Sequence, residues 1–559
     1  MELSRRSFLK AGGTLAAAGL CGALDADAAG APPMQTSAGA ARPTAYGAVT
    51  GRGLGGGVNV WYGVPYAAPP SGGLRWQSPQ PPAPWRAPLD CTAPAPMALQ
   101  PCGGAAAGSE DCLRLDIYAP ANAAGLPVAV YFHGGSNRTG TTLEMNGARL
   151  AQKAGCVVVS AGYRLGLLGF NSLPALCSGP DATGNFALLD AARAFDWVEE
   201  NIAAFGGDPR NVTALGFSAG GRDVLAMLAS PLFAGRFHKA AALSAGLTMT
   251  DPAAAARQTA RAFAPLAVED GLFAAESDAL PWLLTDGGDV RRWLYDLDPA
   301  RLCALMPEGG DLRLNHFPQL FADGVTLPAG GFAQAANSGV PLLLVTGATE
   351  FSLFNPMPDW YQGQGLSPAD AAAARQTACG YGSALYRVFN GAAAAAALAP
   401  RTGAPVWLCE LDCGAPGSRS PITALGLGSY HGISLPLLTG ENSLAAVAPL
   451  DGAGWRAVSD ALTGALAAFL RSGDPGGSPL PVWQPWTAGA PQAMALDADG
   501  DGLAAAVRPA PADCGPILDA LAADPCPPAA KDLVIRRVLN GRIFSAPLDA
   551  RFGNESLWV

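Results

Sequence analysis

Four short apolar runs, each too short for a helix and separated by segments of helical periodicity, leave few folds open to this chain. They are Val128-Ala129-Val130-Tyr131-Phe132, Val157-Val158-Val159-Ser160, Val212-Thr213-Ala214-Leu215-Gly216 and Pro341-Leu342-Leu343-Leu344-Val345. Runs of this length, aliphatic without alternation, read as strands buried on both faces. Between the second and third, Leu188 to Ala203 carries apolar residues at helical spacing and stops before Phe205-Gly206-Gly207-Asp208-Pro209. Strand, helix and strand in succession predict an α/β fold with a large, mostly parallel central sheet flanked by helices. A helical excursion from about Thr250 to Pro307 is expected to lie over that sheet, and Ala393 to Ala397 reads as part of a helix. No Pro- or Ser-rich stretch divides the chain, so one large domain is expected.

The chain has 559 residues, half of them apolar and only 14% charged, which excludes long disordered stretches. Its net charge of -10 gives a nucleic-acid partner no electrostatic support. The first 28 residues resemble a twin-arginine export signal. Ser4-Arg5-Arg6-Ser7-Phe8-Leu9-Lys10 precedes an apolar run, Ala11 to Leu24, and then Ala26-Asp27-Ala28. That run is too short and too rich in Gly and Ala to span a bilayer, and no later segment qualifies. An exported protein, periplasmic or secreted, is the expectation, with residues 29–43 as a linker and no membrane span. Twelve cysteines in an oxidising compartment make disulfides plausible. Cys102 or Cys91 with Cys112, and Cys514 with Cys526, close short loops and are the candidate pairs. Cys156, beside Val157, reads as a small apolar core residue. The stretch after Pro511 has no clear place, and nothing selects an oligomeric state.

Gly216-Phe217-Ser218-Ala219-Gly220 follows the third run and opens a helical pattern, Arg222 to Leu228. A sharp strand-to-helix turn exposes the serine Oγ, and side chains at Gly216 and Gly220 would collide with backbone. His133-Gly134-Gly135-Ser136 ends the first run, where small residues let a substrate approach backbone N–H groups. Together they point to acyl transfer, with Ser218 as nucleophile and the Ala219 N–H as one oxyanion donor.

These motifs, with several others in order, resemble the type-B carboxylesterases, the group that includes cholinesterases, bacterial p-nitrobenzyl esterases and neuroligins. The matching residues are Gly63-Val64-Pro65-Tyr66-Ala67, Leu74-Arg75-Trp76, Ser109-Glu110-Asp111-Cys112-Leu113-Arg114-Leu115, Tyr163-Arg164-Leu165-Gly166, Gly184-Asn185, Leu188-Leu189-Asp190, Asn201 through Pro209, and Phe237-His238-Lys239-Ala240. The resemblance implies an α/β-hydrolase fold, as one domain over residues 44–545 followed by a tail, 546–559. It also implies ester hydrolysis through an acyl-enzyme. Gly135 and Ser136 fall at the family's oxyanion donors. Asn137 and Arg138 stand where the family has an aromatic, which implies a more polar acyl pocket. Phe217 replaces the family's glutamate, removing a carboxylate that favours cationic substrates.

A serine hydroxyl needs a general base oriented by a carboxylate. Only four histidines are available. His133 belongs to the oxyanion loop, His238 follows the nucleophile helix, and His316 precedes Phe317-Pro318. His431, in the glycine-flanked loop Gly428 to Pro436, matches the family's catalytic histidine. Glu350 aligns with the family's catalytic glutamate, although Val345, Gly347, Thr349 and Phe351 depart from its pattern. The order Ser, acid, His is the one this fold uses. No metal or cofactor is implied. Asp497-Ala498-Asp499-Gly500-Asp501-Gly502 echoes a calcium loop but lacks the downstream glutamate, so a polar hairpin turn is expected. The expected partner is a small-molecule ester. A lipase or polyester depolymerase on the same fold, or a non-catalytic binding protein, are the alternatives.

Overall fold

Seven parallel strands run side by side through the middle of the molecule, and antiparallel strands close the sheet at both edges. A computed structural model describes residues 38–177, 183–306, 312–313, 320–334, 339–414, 427–444, 450, 452–499 and 502–554. In chain order the strands are β1 (Ala38–Thr44), β2 (Gly47–Gly55), β3 (Val58–Pro65), β4 (Leu89–Asp90), β5 (Gln100–Cys102), β6 (Ala105–Ala107), β7 (Arg114–Pro120) and β8 (Leu126–Phe132). They continue as β9 (Val157–Ala161), β10 (Gly207–Phe217), β11 (Lys239–Leu243), β12 (Leu342–Gly347), β13 (Val406–Leu411), β14 (Gln492–Asp499) and β15 (Gly502–Pro509). The main sheet has thirteen strands in the order β1-β2-β3-β7-β9-β8-β10-β11-β12-β13-β14-β15, with β4 beside β2. From β9 to β14 every pairing is parallel. The four apolar runs lie in β8, β9, β10 and β12.

Alternate residues of these strands feed two separate cores, as the period of a strand requires. Val128, Val130 and Phe132 face one core with Val157, Val159 and Ala214. Ala129 and Tyr131 face the other with Val158, Leu215 and Leu243. The helix Phe186–Asn201 covers the first face with Leu188, Phe195, Trp197 and Val198. The helix Ala453–Ser472 covers the second with Trp455, Val458, Leu462, Leu466 and Phe469. Burying one such aromatic or aliphatic side chain is worth about 1.5–3 kcal/mol, so the two faces hold the sheet between them. Two ion pairs join the matched motifs, Arg75 to the partly buried Glu110 and the fully buried Arg164 to Asp190, each at 2.7 Å.

The excursion consists of the helices Pro252–Glu269, Glu276–Leu283, Gly288–Asp296 and Pro299–Ala304, which share a core with Trp76, Leu167 and Leu168. The stretch after Pro511 forms the helices Gly515–Ala523, Pro528–Leu533 and Ala546–Phe552. They pack on the long helix Pro368–Val388 and on Phe351, Tyr361 and Tyr386. Among the described residues, no helix is long and apolar enough to cross a membrane, and no group of side chains could hold a metal ion.

Several expectations need correction. The linker assigned to 29–43 overlaps β1, because Ala41, Arg42 and Pro43 pair with β2 and extend the sheet edge. The tail assigned from 546 begins with a helix whose Leu548 is fully buried. Neither disulfide pair forms, since Cys91, Cys112, Cys514 and Cys526 are all free thiols. The Cys91 carbonyl meets the Tyr62 N–H and the Leu113 carbonyl meets that of Tyr66. Four residues of strand set Cys91 and Cys112 apart by on the order of 10 Å, beyond the ~7 Å a disulfide spans. Between Cys514 and Cys526 lies the nine-residue helix Gly515–Ala523, about 13 Å long. Cys156 is a fully buried free thiol. The acidic stretch is a hairpin with Asp499 opposite Gly502. The export signal lies outside the described residues.

Candidate active site

β10 stops at Phe217 and a helix starts at Ala219, so Ser218 alone makes the turn. Its φ of 52° and ψ of -114° lie where non-glycine residues are strained. The strain is held by backbone: the Ser218 N–H donates to the Leu243 carbonyl at 2.9 Å, and its own carbonyl accepts from the Arg222 N–H at 2.9 Å. The flanking glycines are required by space. A methyl on Gly216 would lie 2.3 Å from the Gly220 carbonyl oxygen, and one on Gly220 would lie 2.1 Å from that of Phe132. The second approach places the end of β8 directly beside the elbow.

Beyond β8 the chain turns sharply, with positive φ at Gly135 (99°), Ser136 (57°) and Asn137 (54°). The Gly135 carbonyl accepts from the N–H groups of Arg138 (3.0 Å) and Thr139 (3.1 Å). A side chain at 135 would meet the Thr139 carbonyl oxygen at 2.0 Å. Asn137, expected to make the acyl pocket more polar, is instead fully buried. Its amide nitrogen donates to Asp223 at 2.8 Å, and its oxygen lies 3.1 Å from the Tyr163 hydroxyl. That hydroxyl also reaches the His133 carbonyl at 2.8 Å. Burial pushes the Asp223 carboxyl up to about 7 and the His133 imidazole down to about 4. His133 is therefore neutral at pH 7 and stacks on Tyr163, with ring centroids 4.5 Å apart.

His431 reaches this elbow from the loop before the helix Ser434–Thr439. Its Nε2 lies 2.8 Å from Ser218 Oγ, and its Nδ1 lies 2.6 Å from Glu350 Oε2. Glu350 stands just after β12 and is fully buried. Its other oxygen accepts from the Ser244 hydroxyl (2.6 Å), the Thr346 hydroxyl (3.1 Å) and the Gly347 N–H (2.7 Å). A buried carboxylate is tolerable only when its oxygens are satisfied, and here strand ends supply the three donors on Oε1 while His431 faces Oε2. With the Nδ1 proton directed at Glu350, the Nε2 lone pair faces the serine hydroxyl. Three aromatic rings enclose the imidazole: Phe217 and Phe354 at 5.0 Å, and Tyr386 stacked at 5.6 Å.

The structure thus brings Ser218, Glu350 and His431 into one hydrogen-bonded chain beside Gly135, Ser136 and Ala219. His238 lies away from it and accepts from the Val212 N–H at 3.2 Å, while His316 lies outside the described residues. Sequence reasoning missed Ser244, Thr346, Tyr386 and Phe354. Ser244 had one weak signal, a polar residue ending a buried strand. Thr346 and Phe354 lie four residues either side of Glu350, whereas Tyr386 comes near the site only through tertiary packing.

Residues 39–367 match the Carboxylesterase family. Para-nitrobenzyl esterase of Bacillus subtilis (strain 168) is 36% identical over 341 residues, which cover 58% of this chain and 66% of that protein. Fumonisin B1 esterase of Sphingopyxis macrogoltabida is 43% identical over 217 residues, 37% of this chain and 40% of that protein. Against these curated relatives the chain spans less than two thirds of their length. A solved structure of PNB esterase superposes with a TM-score of 0.66 at 28% identity, covering 84% of this chain and 97% of the other. The carboxylesterase EST55 of Geobacillus stearothermophilus gives 0.66 at 27% identity, covering 86% and 99%. Motifs, sheet order and superposition agree, and the chain belongs to the carboxylesterase family with the α/β-hydrolase fold.

Proposed function

We propose that this protein hydrolyses carboxylic esters through an acyl-enzyme on Ser218. The observation that carries the reading is the pair of short contacts on one imidazole, 2.8 Å to Ser218 Oγ and 2.6 Å to Glu350 Oε2. Ser218 Oγ attacks the ester carbonyl while His431 Nε2 takes its proton. The N–H groups of Gly135, Ser136 and Ala219 receive the oxyanion. His431 then returns the proton to the leaving alcohol, and water repeats the cycle to release the acid. Glu350 stabilises the imidazolium in both halves. A stoichiometric burst of p-nitrophenol from p-nitrophenyl butyrate tests this reading, and absence of any p-nitrophenol release contradicts it.

Phe217 supports the reading that cationic esters gain nothing over neutral ones of equal size. Its ring stands 5.0 Å from His431 at the position where a carboxylate would attract a cation. Butyrylthiocholine and an isosteric neutral thioester are expected to give kcat/KM values within about fivefold, the size of an exposed cation–π contact. Phe217→Glu shifts the ratio toward the cation. A strong wild-type preference for the cation that this substitution leaves unchanged contradicts the reading of position 217.

The arginine pair and apolar run of residues 1–28 support export of the chain. Mass measurement of the exported protein is expected to show cleavage after Ala28, and recovery of the uncleaved chain in the cytoplasm contradicts it.

A further inference from the structure

Ten residues beyond Gly134, the chain returns through a short 3-10 turn, Thr142–Glu144. The Glu144 N–H donates to the Thr141 carbonyl at 3.1 Å, and the Ser160 hydroxyl donates to the Thr142 carbonyl at 2.7 Å. This anchored turn delivers the Glu144 carboxyl back to the start of the oxyanion loop. There one oxygen, Oε2, accepts from the Gly134 N–H at 2.7 Å and from the Tyr131 hydroxyl at 2.6 Å. Tyr131 is fully buried in β8 and cannot move independently of the sheet. The carboxyl therefore ties three elements together: the strand, the residue before the oxyanion donors, and the returning turn.

Gly134 needs such a tie. A glycine has wide backbone freedom, and the peptide that follows it carries the Gly135 N–H. A side chain cannot restrain it, because a methyl at 134 would lie 2.7 Å from the Phe217 ring and 3.2 Å from Glu144 Oε1. The same distances show that the carboxyl sits beside the elbow residue preceding Ser218. We propose that Glu144 is a positioning residue for ester hydrolysis: by accepting from Gly134 and Tyr131 it fixes the peptide ahead of Gly135 and Ser136. Their N–H groups are thereby set against the carbonyl that Ser218 attacks. The proposal rests on the ester-hydrolase reading above. Burial pushes the Glu144 carboxyl up to about 7. Oε2 serves as the acceptor of both contacts, a role that the oxygen of an amide of the same shape also fills.

The test compares full-length wild type, Glu144→Gln, Glu144→Asp and Glu144→Leu on p-nitrophenyl butyrate. It also measures inhibition by an alkyl trifluoromethyl ketone, whose serine adduct carries an oxyanion. Glu144→Leu is expected to lose about 10–100-fold in kcat, because small misplacements of an oxyanion donor cost rates of that order. Its KM stays within about threefold, and its ketone affinity falls by the same factor as kcat. Glu144→Asp, which withdraws the oxygens by one methylene, shows the same split at about tenfold, and Glu144→Gln restores wild-type behaviour within about threefold. If Glu144→Leu does not fold, the contrast between Asp and Gln decides the matter. Wild-type kcat and ketone affinity in both Asp and Leu variants, a loss confined to KM, or a Gln variant as impaired as Asp overturns the proposal. A wild-type enzyme that releases no p-nitrophenol overturns the ester reading itself, a separable outcome.

Discussion

Ser218→Ala is expected to lower kcat/KM for p-nitrophenyl butyrate by roughly 10⁴–10⁶, with an unchanged thermal melting profile. The fold is spared because the substitution removes one atom, the Oγ that meets His431 Nε2 at 2.8 Å. The strained turn at 218 is set by backbone bonds to Leu243 and Arg222, which alanine keeps. Residual hydrolysis comes from the oxyanion donors alone. Activity within about tenfold of wild type, far short of the loss of a nucleophile, contradicts the assignment of Ser218.

Glu350→Gln should cost roughly 10²–10⁴ in kcat, the range for a triad acid converted to its amide. The arrangement of donors explains why an isosteric change is so harmful. One carboxylate oxygen faces the His431 Nδ1–H, and the other receives Ser244, Thr346 and the Gly347 N–H. An amide has one acceptor and one donor group. With its oxygen toward the three strand-end donors, its NH2 meets Nδ1 and selects the wrong imidazole tautomer. With its oxygen toward His431, its NH2 confronts three donors in a fully buried site, at about 1–3 kcal/mol for each group left unsatisfied. Kinetics of Glu350→Gln beside Asp223→Asn separates the readings. A near-neutral Gln variant with a dead Asn variant places the acid elsewhere.

What could be read in the sequence follows from how local each signal is. Val128–Phe132 and Val212–Gly216 declare strands by composition, and the glycines at 216 and 220 report a tight turn, where a side chain at 216 would collide with Gly220 four residues on. Ser218 was legible for that reason. His431 and Glu350 are 81 residues apart and 213 and 132 from or toward the serine's part of the chain, so only ordered motif matching brought them forward. Ser244 and Tyr386 carry no such pattern. Their roles exist only because β11 and β12 lie side by side and because the C-terminal helices press Phe544 onto Tyr386, ring to ring at 4.8 Å. The stretch after Pro511 has no periodic frame of its own, yet it packs against the residue following the candidate acid, Phe351. Asn137 was misjudged because sequence shows a polar residue in an aromatic's place but not the buried Asp223 that receives it. The cysteine pairs failed for a related reason: short spacing in sequence says nothing about a rigid helix or strand lying between.

In the proposed mechanism Ser218 alone forms the covalent intermediate. Intact-protein mass after treatment with a fluorophosphonate, followed by peptide mapping, measures it directly. One phosphonyl group per chain on Ser218, and none on Ser218→Ala, is the predicted result. Labelling at another residue, or labelling of the alanine variant to the same extent, contradicts the account.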